Sequence, residues 1–306
     1  MQLAYAFRRS NLFPYDGDAW NLPGKEARLA WYKLVRGMGF AGIEIANNAV
    51  GGPTATAQAV QDLGKELADN GVPCVCVRGG GGMANPRVAA ASKQRMEEAV
   101  VFAQQLGCPL VNTTVGVPTL TTLPGNFTGD PTSQGSSRDA HESDFQVTAQ
   151  GVREVARKAA DLGIELSIEV HQHSIADNSW SALHLLDLID QPNVGVNPDL
   201  GNILWTYDVP EETSENAIRA LAPRAKYWHC KNLRRVYIPE NKHTIFLRVP
   251  LPDGEIDYRF AISAMQSAGY RGYLAIEGMQ LGDHLTGDRR SAAYAKEILA
   301  ELEDRT

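Results

Sequence analysis

Residues 164–171 read Ile-Glu-Leu-Ser-Ile-Glu-Val-His. Ile164, Leu166, Ile168 and Val170 fall on one face of an extended chain, and Glu165, Ser167, Glu169 and His171 on the other. A strand with one aliphatic and one polar face belongs in a barrel, where helices cover the outside and the interior opens at its ends. That parity turns Glu169 and His171 inward. Three later runs repeat the pattern: NVGVNPD at 193–199, KYWHC at 226–230 and YLAIEG at 273–278. Val194 and Val196 read outward, with Asn197 and Asp199 inward. Leu274 and Ile276 read outward, with Glu277 inward. His229 and Lys231 share the inner face of the third run, leaving Trp228 and Cys230 for the helix layer. Helix-like stretches or a turn-rich loop separate these strands, so they lie parallel and their tips emerge at one end of the sheet.

Working outward, eight strand–helix units can be laid end to end, with strands at 3–7, 42–46, 74–78, 109–115, 164–171, 194–199, 226–231 and 272–277. Val60, Leu63 and Leu67, and then Val100, Ala103 and Leu106, recur at helical spacing between strands. Gly71, Gly107, Gly163 and Gly269 each stand just before a strand, where a left-handed residue closes a helix. This predicts one α/β domain over 1–306, a (β/α)8 TIM barrel, whose C-terminal face carries catalysis. Two segments exceed the usual loop length: 117–143, rich in Thr, Gly, Pro and Ser, and 232–256. Both follow strands and are expected to overhang that face as lids or substrate walls.

The chain has 306 residues, 43 % of them hydrophobic, enough for a large core. Its net charge of −7 argues against a nucleic-acid partner, because no excess of cations is available to displace phosphate counterions. No apolar run of membrane-spanning length occurs, and the first residues lack a secretory h-region. Cys74, Cys76, Cys108 and Cys230 lie in apolar strand runs and form no CxxC pair, which suits buried thiols in a cytoplasmic protein. A homo-oligomer is compatible with this composition.

Singly, a strand-end carboxylate is more often an ion-pair partner or helix cap than a ligand. Together, Glu169, Asp199, His229 and Glu277 place three carboxylates and an imidazole in one cavity, an arrangement costing several kcal/mol without a cation or protonation. They are read as ligands of one divalent metal. With no thiolate among them, Mn2+ heads the candidates, with Mg2+ and Co2+ beside it and zinc as an alternative. His171 is read either as a general acid/base or as a partner orienting a ligand. Arg8, Glu44 and Arg78 stand at inward tips of the first three strands, and Lys231 shares the face of His229. With Arg235 they are assigned to substrate, the arginines as forks for a carboxylate or phosphate or else as partners of the carboxylates. The GGGG run at 79–82 lacks the Lys and Ser/Thr of a P-loop.

IEVH at 168–171, GVNPDLGN at 195–202, WHCKN at 228–232 and DGEIDY…GYRGYLAIEG at 253–258 and 269–278 resemble the xylose isomerase-like sugar isomerase/epimerase superfamily over essentially the whole chain. The resemblance implies that Glu169, Asp199, His229 and Glu277 are the metal ligands and that the two glutamates move protons on opposite faces of the substrate. It implies that Arg235 binds substrate, and it puts Asn202, assigned to substrate as well, where ketose 3-epimerases of this group carry a histidine. The implied activity is isomerisation or epimerisation of a small keto-sugar or oxo-sugar acid through an enediolate. The alternatives are a lyase (decarboxylase, dehydratase or C-glycoside-cleaving subunit) on the same metal site and, last, a nucleic-acid repair hydrolase.

Overall fold

The computed structural model describes residues 1–6, 22–50, 55–118, 137–138, 140–172, 174–205, 210–240, 243–278 and 282–304. In chain order the elements are β1 (Gln2–Ala6), α1 (Lys25–Met38), β2 (Gly42–Ala46), α2 (Ala57–Asp69), β3 (Cys74–Arg78), α3 (Ala89–Leu106) and β4 (Leu110–Thr113). There follow α4 (Glu142–Asp161), β5 (Glu165–Glu169), α5 (Ser179–Ile189), β6 (Val194–Asn197), α6 (Leu200–Leu204), α7 (Ser214–Leu221) and β7 (His229–Cys230). The remainder is β8 (Asn232–Ile238), β9 (His243–Val249), α8 (Tyr258–Ser267), β10 (Tyr273–Ile276) and α9 (His284–Glu303).

Eight parallel strands run side by side in the order β6-β5-β4-β3-β2-β1-β10-β7. The ends approach each other through a parallel bridge between Val196 and Ala225 and a hydrogen bond of 3.0 Å from Lys226 N to the Val196 carbonyl. The sheet is thus a nearly closed barrel wrapped by helices, a TIM barrel. Gly107 illustrates how the units are delimited: at φ 75° it caps α3 in the left-handed conformation, and Cys108 N then bonds the Ala103 carbonyl at 2.9 Å. Gly71, Gly163 and Gly269 also have positive φ.

The strand parity separates two apolar layers. Leu166, Ile168, Val194, Val196, Leu274 and Ile276 join the helix-facing core, together with Val60, Leu63 and Leu67 from one face of α2. A second, smaller cluster fills the barrel interior: Ala4, Ala6, Val75, Cys76, Leu110, Tyr227 and Ala275. Alanines on β1 and β10 leave room for the Tyr227 ring, a small-against-large arrangement suited to close packing. The four cysteines are buried and free. No helix among the described residues is long and apolar enough to cross a membrane.

Of the two long segments, 119–136 and 139 lie outside the described residues. The other, read as a turn-rich loop, contains a regular antiparallel hairpin. β8 pairs with β9 from Asn232↔Val249 to Ile238↔His243. The runs RVYI and TIFLRV carry the β-branched and aromatic residues that suit a pleated surface.

Candidate active site

The site sits on the inner plug of the barrel, at the C-terminal strand ends. Tyr227 meets the His229 ring edge-on, with centroids 5.3 Å apart. The His229 backbone N–H donates to Asn197 Oδ1 at 2.6 Å, so β6 fixes the height of β7 across the barrel seam. His229 is fully buried. Its Nε2 lies 2.7 Å from Glu44 Oε2. Arg78 and His229 together outweigh the burial of Glu44 and hold its carboxyl below the usual range. Ionised Glu44 can only accept, so the imidazole proton belongs on Nε2. The other nitrogen, Nδ1, is buried and makes no hydrogen bond. It faces Glu169 Oε1 at 3.4 Å, Asp199 Oδ2 at 3.8 Å and Glu277 Oε1 at 4.0 Å. A lone pair aimed at three carboxylates is tenable only with positive charge between them. A proton is one solution: burial opposes it, but Glu44, Glu169 and Glu277 push the His229 pKa up to about 10. A cation is the other, and the donor set fits one. Ligand atoms of Glu169, His229 and Glu277 all lie within 4.8 Å of one another, and oxygen and imidazole donors suit a hard divalent ion.

Each carboxylate is held differently. Among the described residues, Glu169 accepts hydrogen bonds from two neutral amides: Asn112 Nδ2 on Oε2 and Asn202 Nδ2 on Oε1, both at 3.0 Å. Asn202 also donates from Nδ2 to the Val170 carbonyl at 3.0 Å, so it spans the end of β5. Asp199 caps α6, Oδ1 accepting from Asn202 N at 3.3 Å, while Oδ2 takes Lys231 Nζ at 2.6 Å. It therefore stands beside the compact Glu169–His229–Glu277 group rather than within it. Burial raises its pKa, against the pull of Lys231, to about 6. Glu277 is ringed by cations: Arg78 at 2.8 Å on Oε1, and Lys231 at 2.8 Å and Arg248 at 3.3 Å on Oε2.

The residues assigned to substrate thus have protein partners. Arg78 also bonds Glu44 at 2.6 Å, so its fork spans two carboxylates. Lys231 bridges Asp199 and Glu277, passing Gly201 so closely that a Cβ there would lie 2.5 Å from Lys231 Cγ. Arg235 stands on β8, its backbone N–H donating to Glu255 at 2.6 Å and its side chain 3.5 Å from the same carboxylate. His171 bonds the Gln172 carbonyl through Nδ1, and burial lowers its pKa, favouring the neutral ring. Arg8 lies outside the described residues.

Two contributors escaped the sequence reading. Arg248 is buried and donates to both the Glu277 carbonyl, at 3.1 Å, and its carboxylate. Asn112 orients Glu169 and accepts from Asn197 Nδ2 at 3.2 Å. The parity that exposed Asn197 applies equally to the LVNT run of β4, where Leu110 and Asn112 share the inner face.

Among relatives, an inosose dehydratase of Clostridium perfringens is 24 % identical over 150 residues, covering 46 % of this chain and 49 % of that protein. The match therefore spans about half the length of that relative. A 2-oxo-tetronate isomerase of Haemophilus influenzae is 25 % identical over 214 residues, 68 % of this chain and 69 % of its own. Among solved structures, a xylose isomerase-like TIM barrel protein from Mycobacterium smegmatis, in complex with magnesium, superposes with a TM-score of 0.76 at 20 % identity. That match covers 98 % of this chain and 96 % of the other. Residues 32–300 match the family described as xylose isomerase-like TIM barrel, and with the eight-stranded architecture this establishes that the chain belongs to that family.

Proposed function

We propose that the protein is a divalent-metal-dependent isomerase or epimerase acting on a hydroxy-ketone sugar or an oxo-sugar acid. The observation that carries this reading is the buried, unbonded Nδ1 of His229 facing three carboxylates, with Nε2 committed to Glu44. Glu169, His229 and Glu277 would hold the ion, with Asp199 completing the set. Mn2+ suits these donors, and Mg2+ is the next choice. When bound, such an ion polarises adjacent oxygens of a hydroxy-ketone and makes the α-proton more acidic.

The protein groups divide the remaining work. Both oxygens of Glu277 are engaged by guanidinium or ammonium groups, which weakens it as a base. Those of Glu169 face two amides, so Glu169 is the residue that takes the α-proton. Asn112 and Asn202 fix its orientation. Neutral His171, two residues on, would serve as the second group carrying a proton to or from the substrate. Fixed charge supports the same chemistry. Among the described residues, Glu44, Glu169, Asp199 and Glu277 set four negative charges against Arg78, Lys231 and Arg248. With a neutral imidazole and a divalent ion, the cluster carries one net positive charge. That matches a substrate which acquires one negative charge on losing its α-proton, or arrives with a carboxylate.

Returning the proton gives isomerisation or epimerisation, whereas expelling a β-hydroxyl from the same carbanion gives dehydration, the reaction named in the Clostridium relative. Proton NMR in D2O separates these. With Mn2+ removed after incubation, a panel of keto-sugars and oxo-sugar acids is expected to show deuterium at the α-carbon of the true substrate, without loss of water. An alkene proton signal would move the assignment to a dehydratase. No exchange on any member, with metal shown to be bound, would refute the proposal.

A further inference from the structure

Glu44 and Arg78 stand on the neighbouring strands β2 and β3, whose register sets Ala46 beside Arg78. Arg78 therefore lies two residues beyond Glu44 toward the C-terminal strand ends, and its guanidinium turns back onto it. Nε donates to Glu44 Oε1 at 2.6 Å, and Nη2 donates to Glu277 Oε1 at 2.8 Å. The second oxygen of Glu44, Oε2, lies 2.7 Å from His229 Nε2. Glu44 and His229 are both buried, so their polar atoms must be matched within the protein.

A guanidinium offers donors only and keeps its protons in a protein. Arg78 thus obliges the atom at the Oε1 position to be an acceptor. The tautomer of His229 is decided at the Oε2 position. An acceptor 2.7 Å away requires Nε2–H and leaves the lone pair on Nδ1, the nitrogen that faces Glu169, Asp199 and Glu277. A donor there would do the reverse. Arg78 Nη2 also approaches Nε2, at 3.4 Å, but that contact is long for a hydrogen bond and Nη2 already donates to Glu277. Glu44 therefore decides.

We infer that Arg78 and Glu44 are positioning residues that act together as a tautomer lock: Arg78 claims Oε1, Oε2 is left to accept from His229, and Nδ1 is kept open to the cation. This role rests on the reading of His229 as a metal ligand, and it gives Arg78 a task other than binding substrate. It has a consequence that charge alone does not. In Glu44→Gln the new carbonyl oxygen must still face Arg78, because an amide N–H in that place would oppose a guanidinium N–H. The amide nitrogen then faces Nε2 and donates to it. The ring proton moves to Nδ1, where it blocks the cation. With Arg78→Met added, the amide can turn, its oxygen accepts from Nε2–H, and Nδ1 opens again. Glu277 keeps Lys231 and Arg248 in that protein.

The test is a double-mutant cycle in Mn2+ affinity, measured calorimetrically on the native protein, Glu44→Gln, Arg78→Met and the double variant. Loss of the Glu44 charge weakens ion binding in both backgrounds and cancels in the comparison. With Arg78 present, Glu44→Gln is expected to raise the Mn2+ Kd about 10–100-fold. With Arg78→Met the factor should be at least about fivefold smaller, the effect of one mismatched buried hydrogen bond. Nitrogen-15 NMR of histidine-labelled, metal-free protein reads the tautomer itself. Nε2 should carry a proton in the native protein and the double variant, and none in Glu44→Gln. Arg78→Gln, whose amide oxygen can accept from its neighbour, replaces Arg78→Met if that chain does not fold, and the Glu44→Gln spectrum decides if neither double variant does. Equal factors in the two backgrounds, or a protonated Nε2 in Glu44→Gln, overturns the lock while leaving the metal-centred reading intact. If the native protein binds no Mn2+, that reading fails instead, and the nitrogen spectra alone decide the lock.

Discussion

Replacing Lys231 by Met keeps an unbranched side chain of similar length and removes one ammonium. That group lies 2.6 Å from Asp199 and 2.8 Å from Glu277, both carboxylates wholly inaccessible to water. Glu277 retains Arg78 and Arg248, whereas Asp199 has no other Lys or Arg partner among the described residues. The loss therefore falls on Asp199, and removing one partner of a buried pair costs about 3–5 kcal/mol. With unfolding entropy near 2.1 cal/mol/K per residue over 306 residues, about 0.64 kcal/mol/K, the metal-free variant should melt about 5–8 °C below the native protein. A divalent cation between Asp199 and its neighbours supplies the missing charge. Excess Mn2+ should therefore stabilise the variant more than the native protein and recover at least half of the deficit. Calorimetric melting of both proteins, with EDTA and with Mn2+, measures each quantity. An equal drop in Tm with and without Mn2+ would show that Asp199 does not feel the ion, and no drop at all would refute the charge argument itself. Low pH offers an internal control. The Asp199 pKa, raised to about 6, should rise further once Lys231 is gone, so the variant's deficit should narrow on acidification toward pH 5 as the carboxyl protonates.

His229 makes the metal-free protein sensitive to alkali. Its folded pKa of about 10 exceeds the ordinary value of 6.5, so the associated stability is complete below about pH 6.5 and is lost as pH rises through 10. Tm without metal should fall across that window, and Mn2+, which takes the place of the proton, should flatten the fall. Glu169→Gln should lower kcat by about 10²–10⁴, measured on whichever substrate exchanges deuterium. Gly201→Ala should cost about 1–3 kcal/mol in denaturant unfolding, because the new Cβ would meet Lys231 Cγ at 2.5 Å and its carbonyl at 3.1 Å.

The barrel and the inward direction of Glu169, Asp199, His229 and Glu277 were legible because a strand's period of two is rigid: once Leu166 and Ile168 face helices, Ser167 and Glu169 face the interior. What that period cannot reveal is how the charges are shared. Arg78, which the sequence left between a fork for substrate and a partner of the carboxylates, spends its guanidinium on Glu44 and Glu277. Glu44 proved to be the carboxylate that orients His229, a role decided by the distance across the barrel from β2 to β7. Arg248 was hidden for another reason. It lies on β9, outside the eight-strand repeat, and only the pairing of Leu233 with Arg248 turns it toward Glu277. Asp199 shows the limit of reading ligands one residue at a time, since the same side chain caps α6, binds Lys231 and borders the cation group.

The central claim is that His229 Nδ1 and its neighbouring carboxylates hold one hard cation. Pulsed electron paramagnetic resonance on Mn2+-loaded protein reads this directly, because a directly bound imidazole imposes a 14N coupling on the manganese spin. The structure predicts one Mn2+ per chain with a single 14N coupling, and loss of that coupling in His229→Gln. Mn2+ bound without any 14N coupling, or a coupling that survives His229→Gln, would contradict it.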